Sequence, residues 1–377
     1  VTNDRNERRL RFALIGGGPG SFIGGVHRIA AELDREIELV AGAFSSDADR
    51  SAQAGAAYRI DPARAYPDLA TMLAAEAARP DGIDFVTIAT PNHHHLPAAR
   101  AALEAGIAVM SDKPATATLQ EARDLADIVA GAAAPYALTY TYSGYPLVRE
   151  ARARIAAGEI GRVVKVIVEY SQGWLAGAVD SKQAAWRLDP GRAGAGGCIA
   201  DIGVHAFHLA EFVTGLRVTQ LLADLGSVVP GRTLDDDAQL LLRFDNGARG
   251  ALLASQVMIG ERNGLRLRIH GTRGGMDWRQ EAPNRLVIHH GDGRTEIVQA
   301  GDASLGSDAM AGLRTPGGHP EGYLEAFANL YRDFATLLRG GAAPLLPGIS
   351  DGLRGMALIE TAVHASREDS GWVHLIV

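Results

Sequence analysis

The sequence predicts two domains of unlike class: an α/β domain on a parallel sheet over residues 1–134, then an α+β domain with a large, mostly antiparallel open sheet over 135–377. Three observations predict this. The 377 residues exceed what one ordinary core organises. Strand and helix patterns alternate through the first third, as in a parallel sheet with helices on both faces. From 162 onward apolar and polar residues mostly alternate between tight-turn signals, which marks antiparallel strands with one packed and one free face.

Taken in order, LRFALIG (10–16) reads as a short buried strand ending in glycines, and 22–33 as a helix. ELVAGAF (38–44) is a second strand and 68–78 a second helix. IDFVTIAT (83–90) is a third strand, ended by Pro91. A helix at 96–105, a strand at 107–112 and a helix at 118–130 follow, and the pattern changes around Ala134–Pro135. Beyond it, 163–171 is a strand and 201–213 a helix. The segments 238–256 and 265–278 read as hairpins, turning at Asp245-Asn246-Gly247 and at Gly274-Gly275. Helices at 321–338 and 350–367 close the chain.

Composition narrows the function classes. A net charge of −7 argues against nucleic acid or an anionic membrane as partner. No stretch approaches the roughly 18–20 apolar residues of a membrane span. The polar start VTNDRNERRLRF lacks an apolar signal core, so a cytoplasmic protein is expected. The one cysteine, Cys198, reads as a buried packing residue and rules out an internal disulfide. Lysine is rare: only Lys113, Lys165 and Lys182 occur.

Five motifs carry chemistry. The first is the turn from Gly16 to Gly24 between the first strand and the first helix. Glycines let backbone amides approach a pyrophosphate, and the helix amino end faces it with its positive dipole end, as in a Rossmann domain. Gly16, Gly18, Ser21, Phe22 and Ile23 are expected at the cofactor. The turn is about three residues longer than the usual G-x-G-x-x-G, which leaves open which amides reach phosphate.

After the second strand, Ser45 and Arg50 suit a ribose 2′-phosphate and lean the cofactor toward NADP, while nearby Asp47 keeps NAD open. The third motif, Thr90-Pro91-Asn92-His93-His94-His95, lies at the carboxyl edge of the sheet, where ligands bind. Thr90, Pro91, Asn92 and His95 join the expected cofactor set. Consecutive histidines point apart, so no metal is expected there. The fourth motif, Ser111-Asp112-Lys113-Pro114, brings Asp112 to the cofactor and an ammonium to hold a substrate oxygen. In the fifth, Asp201 and His205 lie four apart after a glycine run, on one helix face, as a carboxylate and a general base. Asp235-Asp236-Asp237 reads as a solvated turn.

In this order the five pieces resemble the Gfo/Idh/MocA family of sugar and polyol oxidoreductases, over nearly the whole chain. The most specific marks are Asp112-Lys113-Pro114, similar to the family's Glu-Lys-Pro, and Asp201-x-x-x-His205. The resemblance implies a catalytic group of Lys113, Asp201 and His205, and places Trp186 and Arg187 beside the sugar. It adds Tyr142, Trp174 and His319 as substrate contacts, with Gln183 and Tyr323 as further candidates. The Ser45-to-Arg50 spacing is similar to an NADP-recognition segment within the family. The long glycine turn and Asp112 in place of Glu depart from the pattern.

Implied by the resemblance is NAD(P)-dependent hydride transfer at a secondary alcohol or ketone of a sugar, cyclic polyol or glycoside. Two alternatives share the fold: NAD-dependent glycoside cleavage, and a non-catalytic sugar or dinucleotide sensor. Expected partners are a small sugar or polyol and further copies of the chain, as a homodimer or homotetramer through the free sheet face.

Overall fold

The computed structural model describes residues 5, 8–18, 20–177 and 189–377. The chain divides into two compact units, one made of residues up to Tyr140 with Phe327–Leu353, the other of Thr141–Ala326 with Arg354–Val377.

Five strands form the sheet of the first unit: β1 (Leu10–Gly16), β2 (Ile37–Ala43), β3 (Phe85–Ala89), β4 (Ala108–Ser111) and β5 (Tyr136–Leu138). Their order is β2-β1-β3-β4-β5 and every pairing is parallel. The order reverses between β1 and β3, so the carboxyl ends of these strands form the crevice where such sheets bind ligands. Between strands, helices begin at capped positions. Ser21 caps Phe22–Glu32, Asp47 caps Ala48–Tyr58 and Asp68 caps Leu69–Ala77. Thr118 and Glu121 form a reciprocal capping box on Leu119–Gly131.

A cut at residue 134 does not describe this unit. β5 lies beyond it and pairs with β4, and the chain returns at Phe327–Leu353. The reason is aromatic packing. Tyr331 lies 6.3 Å from both Phe12 and Phe85, and Phe334 meets Phe85 edge-on at 5.2 Å.

The second unit is built on a nine-stranded sheet. Its strands are β6 (Val163–Ser171), β7 (Val218–Gly226), β8 (Asp237–Phe244), β9 (Arg249–Ser255), β10 (Gly264–Gly271), β11 (Gly274–Arg279), β12 (Arg285–His290), β13 (Thr295–Gln299) and β14 (Val373–His374). The order is β13-β12-β11-β10-β6-β9-β8-β7-β14, and only β6 and β9 pair in parallel. Alternation separates two faces. Val166, Val168 and Leu252 are buried, whereas Leu241 and Leu253 are 49% and 38% exposed and Arg268 pairs with Glu169 outside. Helices Pro146–Ala156 and Val204–Thr214 contribute buried side chains to this unit, and among the described residues no helix is long and apolar enough to cross a membrane.

Three sequence expectations need correction here. Gly274 and Gly275 open β11 rather than turn the hairpin, because β10 runs through Gly271 and the turn falls at Thr272–Arg273. The helix expected at 201–213 begins instead as a π-helical turn, Ile199–Gly203, which passes into Val204–Thr214. The aspartate run is not a freely solvated turn: Asp236 is 1% exposed, and the half-buried Asp235 is bound beneath the turn at 197–199.

Candidate active site

At the β1–helix junction of the first unit, backbone conformation dictates residue type. Gly16 and Gly17 have φ of +75° and +67°, in the left-handed region that favours glycine. A Cβ at Gly24 would stand 2.1 Å from the Gly17 carbonyl oxygen, so only glycine lets the helix approach the turn. Tyr58, overlooked in the sequence, donates its hydroxyl to that carbonyl at 2.6 Å and fixes the turn. The helix Phe22–Glu32 begins directly after this turn, and its positive dipole end suits a pyrophosphate.

The other expected cofactor residues end neighbouring strands. Ser45 Oγ accepts Asp47 N–H at 3.2 Å, and Asp47 Oδ1 accepts Arg50 N–H at 2.9 Å, so the Asp47 carboxylate is committed to its cap. Asn92 is buried after β3. The His95 ring is buried, with Nδ1 2.8 Å from the Pro114 carbonyl and Nε2 2.9 Å from the Thr90 carbonyl. A neutral ring carries one N–H and so donates to one of these two carbonyls, and both nitrogens face the loops that carry Thr90 and Pro114.

Asp112 Oδ1 accepts the Lys113 amide at 2.9 Å and the Thr139 hydroxyl at 3.0 Å, setting the backbone that carries Lys113. The Lys113–Pro114 peptide is cis.

In the second unit Asp201 and His205 stand on one continuous helical stretch. Gln256 Nε2 donates to Asp201 Oδ2 at 2.9 Å. Tyr142 meets the His205 ring edge-on at 5.0 Å, and Tyr170 lies 6.3 Å away. The two tyrosine hydroxyls bond each other, and Tyr170 donates onward to Asn263 Oδ1 at 2.7 Å. Burial pushes both phenols above their ordinary range, so they orient the imidazole without exchanging protons near neutrality. Gln172 and Trp174 extend the network: Trp174 Nε1 donates to Gln172 Oε1 at 2.8 Å, and Gln172 Nε2 to Asn263 Oδ1 at 2.9 Å.

Asp235 anchors the turn before Asp201. Its carboxylate accepts the amides of Gly197 at 2.5 Å and Ile199 at 2.8 Å, and the Cys198 thiol at 3.2 Å. Burial and the adjacent Asp235 hold that thiol protonated, well above the usual thiol range.

Tyr142, Asp201 and His205 are thus brought together, with Trp174 joined through Gln172 and Asn263. His319 lies in an exposed turn, Nδ1 3.2 Å from the Pro316 carbonyl, and no hydrogen bond or ring contact among the described residues ties it to this cluster. Gln183, Trp186 and Arg187 lie outside the described residues.

A doubly wound dinucleotide sheet, joined in sequence to a unit whose open, mostly antiparallel sheet carries a helix with an aspartate–histidine pair, defines a nicotinamide-dependent oxidoreductase. Residues 10–140 match the model of the oxidoreductase family with NAD-binding Rossmann fold, and 148–277 match the GFO/IDH/MocA C-terminal domain. The chain belongs to the Gfo/Idh/MocA family.

It is 33% identical to an uncharacterized oxidoreductase, YfiI, of Bacillus subtilis, over 97% of this chain and 96% of that one. Levoglucosan dehydrogenase of Pseudarthrobacter phenanthrenivorans is 27% identical, over 89% and 97%. A crystal structure of an inositol dehydrogenase homolog with NAD+ from Azotobacter vinelandii is 36% identical and superposes with a TM-score of 0.94, covering 97% of each chain. The same homolog with NADH and myo-inositol gives 35% and 0.90, covering 97% and 98%.

Proposed function

We propose that the protein moves a hydride reversibly between NAD(H) and a secondary alcohol or ketone of a cyclic polyol or sugar. One observation supports this reading: of the proton-transfer set we propose, Asp201 and His205 stand on one helical stretch with Gln256 and Tyr142 against them, and the Lys113 amide is bound by the Asp112 carboxylate. A sensor has no use for such a set.

When bound, the nicotinamide supplies the hydride acceptor or donor. His205 accepts the hydroxyl proton in the oxidation direction, and Asp201 holds a neighbouring hydroxyl. The Lys113 ammonium stabilises the oxyanion left on the substrate.

For the cofactor, Ser45 and Arg50 suit NADP(H), as the sequence leans. What favours NAD(H) is the fixed Asp47 carboxylate, one residue from the exposed Ser46 and bonded to Arg50 N–H, which sets a negative charge where a 2′-phosphate is to be recognised. The NAD+ and NADH bound to the Azotobacter vinelandii homolog agree with this choice. The open face of the nine-stranded sheet, with Leu241 and Leu253 in part exposed, is where we place contact with further copies of the chain.

The test follows the absorbance of reduced nicotinamide with both cofactors against cyclic polyols, aldoses and glycosides. The proposal expects net NADH formation from at least one polyol or sugar, faster than NADPH formation. Bond cleavage without net NADH would mean glycoside cleavage instead, and a preference for NADP+ would overturn the cofactor choice alone.

A further inference from the structure

The glycine turn of the first unit contains one peptide whose direction the residues on either side leave open. Gly17 and Gly18 flank it, and a peptide between two glycines can exchange the directions of its carbonyl and its N–H at little steric cost. The surroundings press close. A Cβ at Gly17 would lie 2.9 Å from Gly24 Cα, and one at Gly18 would lie 3.0 Å from the Phe44 carbonyl oxygen. The peptide therefore sits between the start of the helix Phe22–Glu32 and the residue that follows β2.

Tyr58 selects one of the two directions. Its hydroxyl donates to the Gly17 carbonyl at 2.6 Å. A trans peptide points its N–H opposite to its carbonyl, so this bond turns the Gly18 N–H away from Tyr58. The next carbonyl, that of Gly18, accepts Ser21 N–H at 3.0 Å. Both carbonyls of the glycine pair are thereby drawn to donors within the protein. Tyr58 is itself held in place. It closes the helix Ala48–Tyr58, which stops at Arg59 in the left-handed conformation, φ +60°. Its ring lies 5.3 Å from that of Phe44, and the Arg28 guanidinium stands 5.2 Å over it. Burial raises the phenol above its ordinary range and outweighs the Arg28 charge, which lowers it, so the hydroxyl keeps the proton that it donates.

We infer that Tyr58 is a positioning residue for the dinucleotide: it holds the Gly17–Gly18 peptide in the direction that offers the pyrophosphate an N–H and not a carbonyl oxygen. This rests on the reading above that the glycine turn serves NAD(H). A reversed peptide would withdraw a donor from the phosphates and turn a partial negative charge toward them.

Dissociation constants test it, read from NADH fluorescence and from displacement of NADH by ADP-ribose and by adenosine. Tyr58→Phe removes the hydroxyl and keeps the ring. In this variant NADH and ADP-ribose, which carry the pyrophosphate, should bind about tenfold or more weakly, the scale of one hydrogen bond to a charged group. Adenosine, which lacks the pyrophosphate, should stay within about twofold of its wild-type affinity. The Gly18 amide of the wild type, assigned by NMR through glycine-pair labelling, gives a second reading should the variant fold poorly. It should shift downfield with ADP-ribose and not with adenosine. Unchanged affinity of Tyr58→Phe for NADH and ADP-ribose would overturn the inference. So would an equal loss for adenosine, or a Gly18 amide that ADP-ribose leaves unmoved. A wild type that binds neither NADH nor ADP-ribose would instead overturn the oxidoreductase reading on which the inference rests.

Discussion

Asp235 shows how a single carboxylate sets the geometry of a site it never touches. Three donors converge on it, two amides and a thiol, on the turn that leads into Asp201. Asp235→Asn replaces one acceptor oxygen by an amide that confronts the Ile199 N–H or the Gly197 N–H. The mismatch should cost about 1–3 kcal/mol, read by denaturant unfolding, and lower turnover with it. Stability equal to the wild type would show that the turn holds without the carboxylate. The Asp201–His205 pair was legible because a four-residue spacing on a helix is a local fact. The Asp235 contact was not, because its partner at Ile199 lies 36 positions away and three adjacent aspartates look alike until the chain folds. The surroundings of His95 were hidden for the same reason: the carbonyls of Thr90 and Pro114 meet its ring only once the two loops are folded.

Between elements, the helix Phe22–Glu32 is tied across the first unit by a buried polar relay. His27 Nδ1 lies 2.7 Å from the Tyr331 hydroxyl, which lies 3.0 Å from Thr87 Oγ1 on β3. Burial lowers the His27 pKa from 6.5 to about 4, with the charge of Asp112 opposing the shift and His95 adding to it. A pKa lower in the folded than in the unfolded chain means that folding favours the neutral ring. Its contribution is therefore complete above pH 6.5 and is lost as pH falls through about 4. The shift corresponds to about 3 kcal/mol. His27→Gln removes the titration, so unfolding measured from pH 7 to pH 4 should show the wild type losing roughly that much more stability than the variant. Parallel curves would place the acid sensitivity elsewhere. At this scale the long amphipathic elements were legible, and the weakly patterned ones were not. The helix Ala48–Tyr58 buries Ser51, Ala54 and Gly55, residues too small and polar to mark a core face. β5 has only three residues and follows Pro135, so it read as a boundary although it completes the parallel sheet.

Across the whole molecule, two units divide the work: the parallel sheet of one ends in backbone suited to a dinucleotide, and a helical stretch of the other carries Asp201 and His205. This division was readable because periodicities of strand and helix are local, and they switch character where the parallel sheet ends. The return of Phe327–Leu353 to the first unit was not, since Phe327, Tyr331 and Phe334 would suit any core. We propose that Lys113 and His205 serve one hydride transfer. It is tested most directly by turnover of Lys113→Met, His205→Asn and the double variant, with cofactor affinity confirmed for each. Groups acting on one reacting oxygen are not additive. Each single change should slow turnover by about two to four orders of magnitude, and the double should fall no more than about tenfold below the slower single. A single variant keeping more than about a tenth of wild-type turnover, or a double losing the full product of the two, would contradict it.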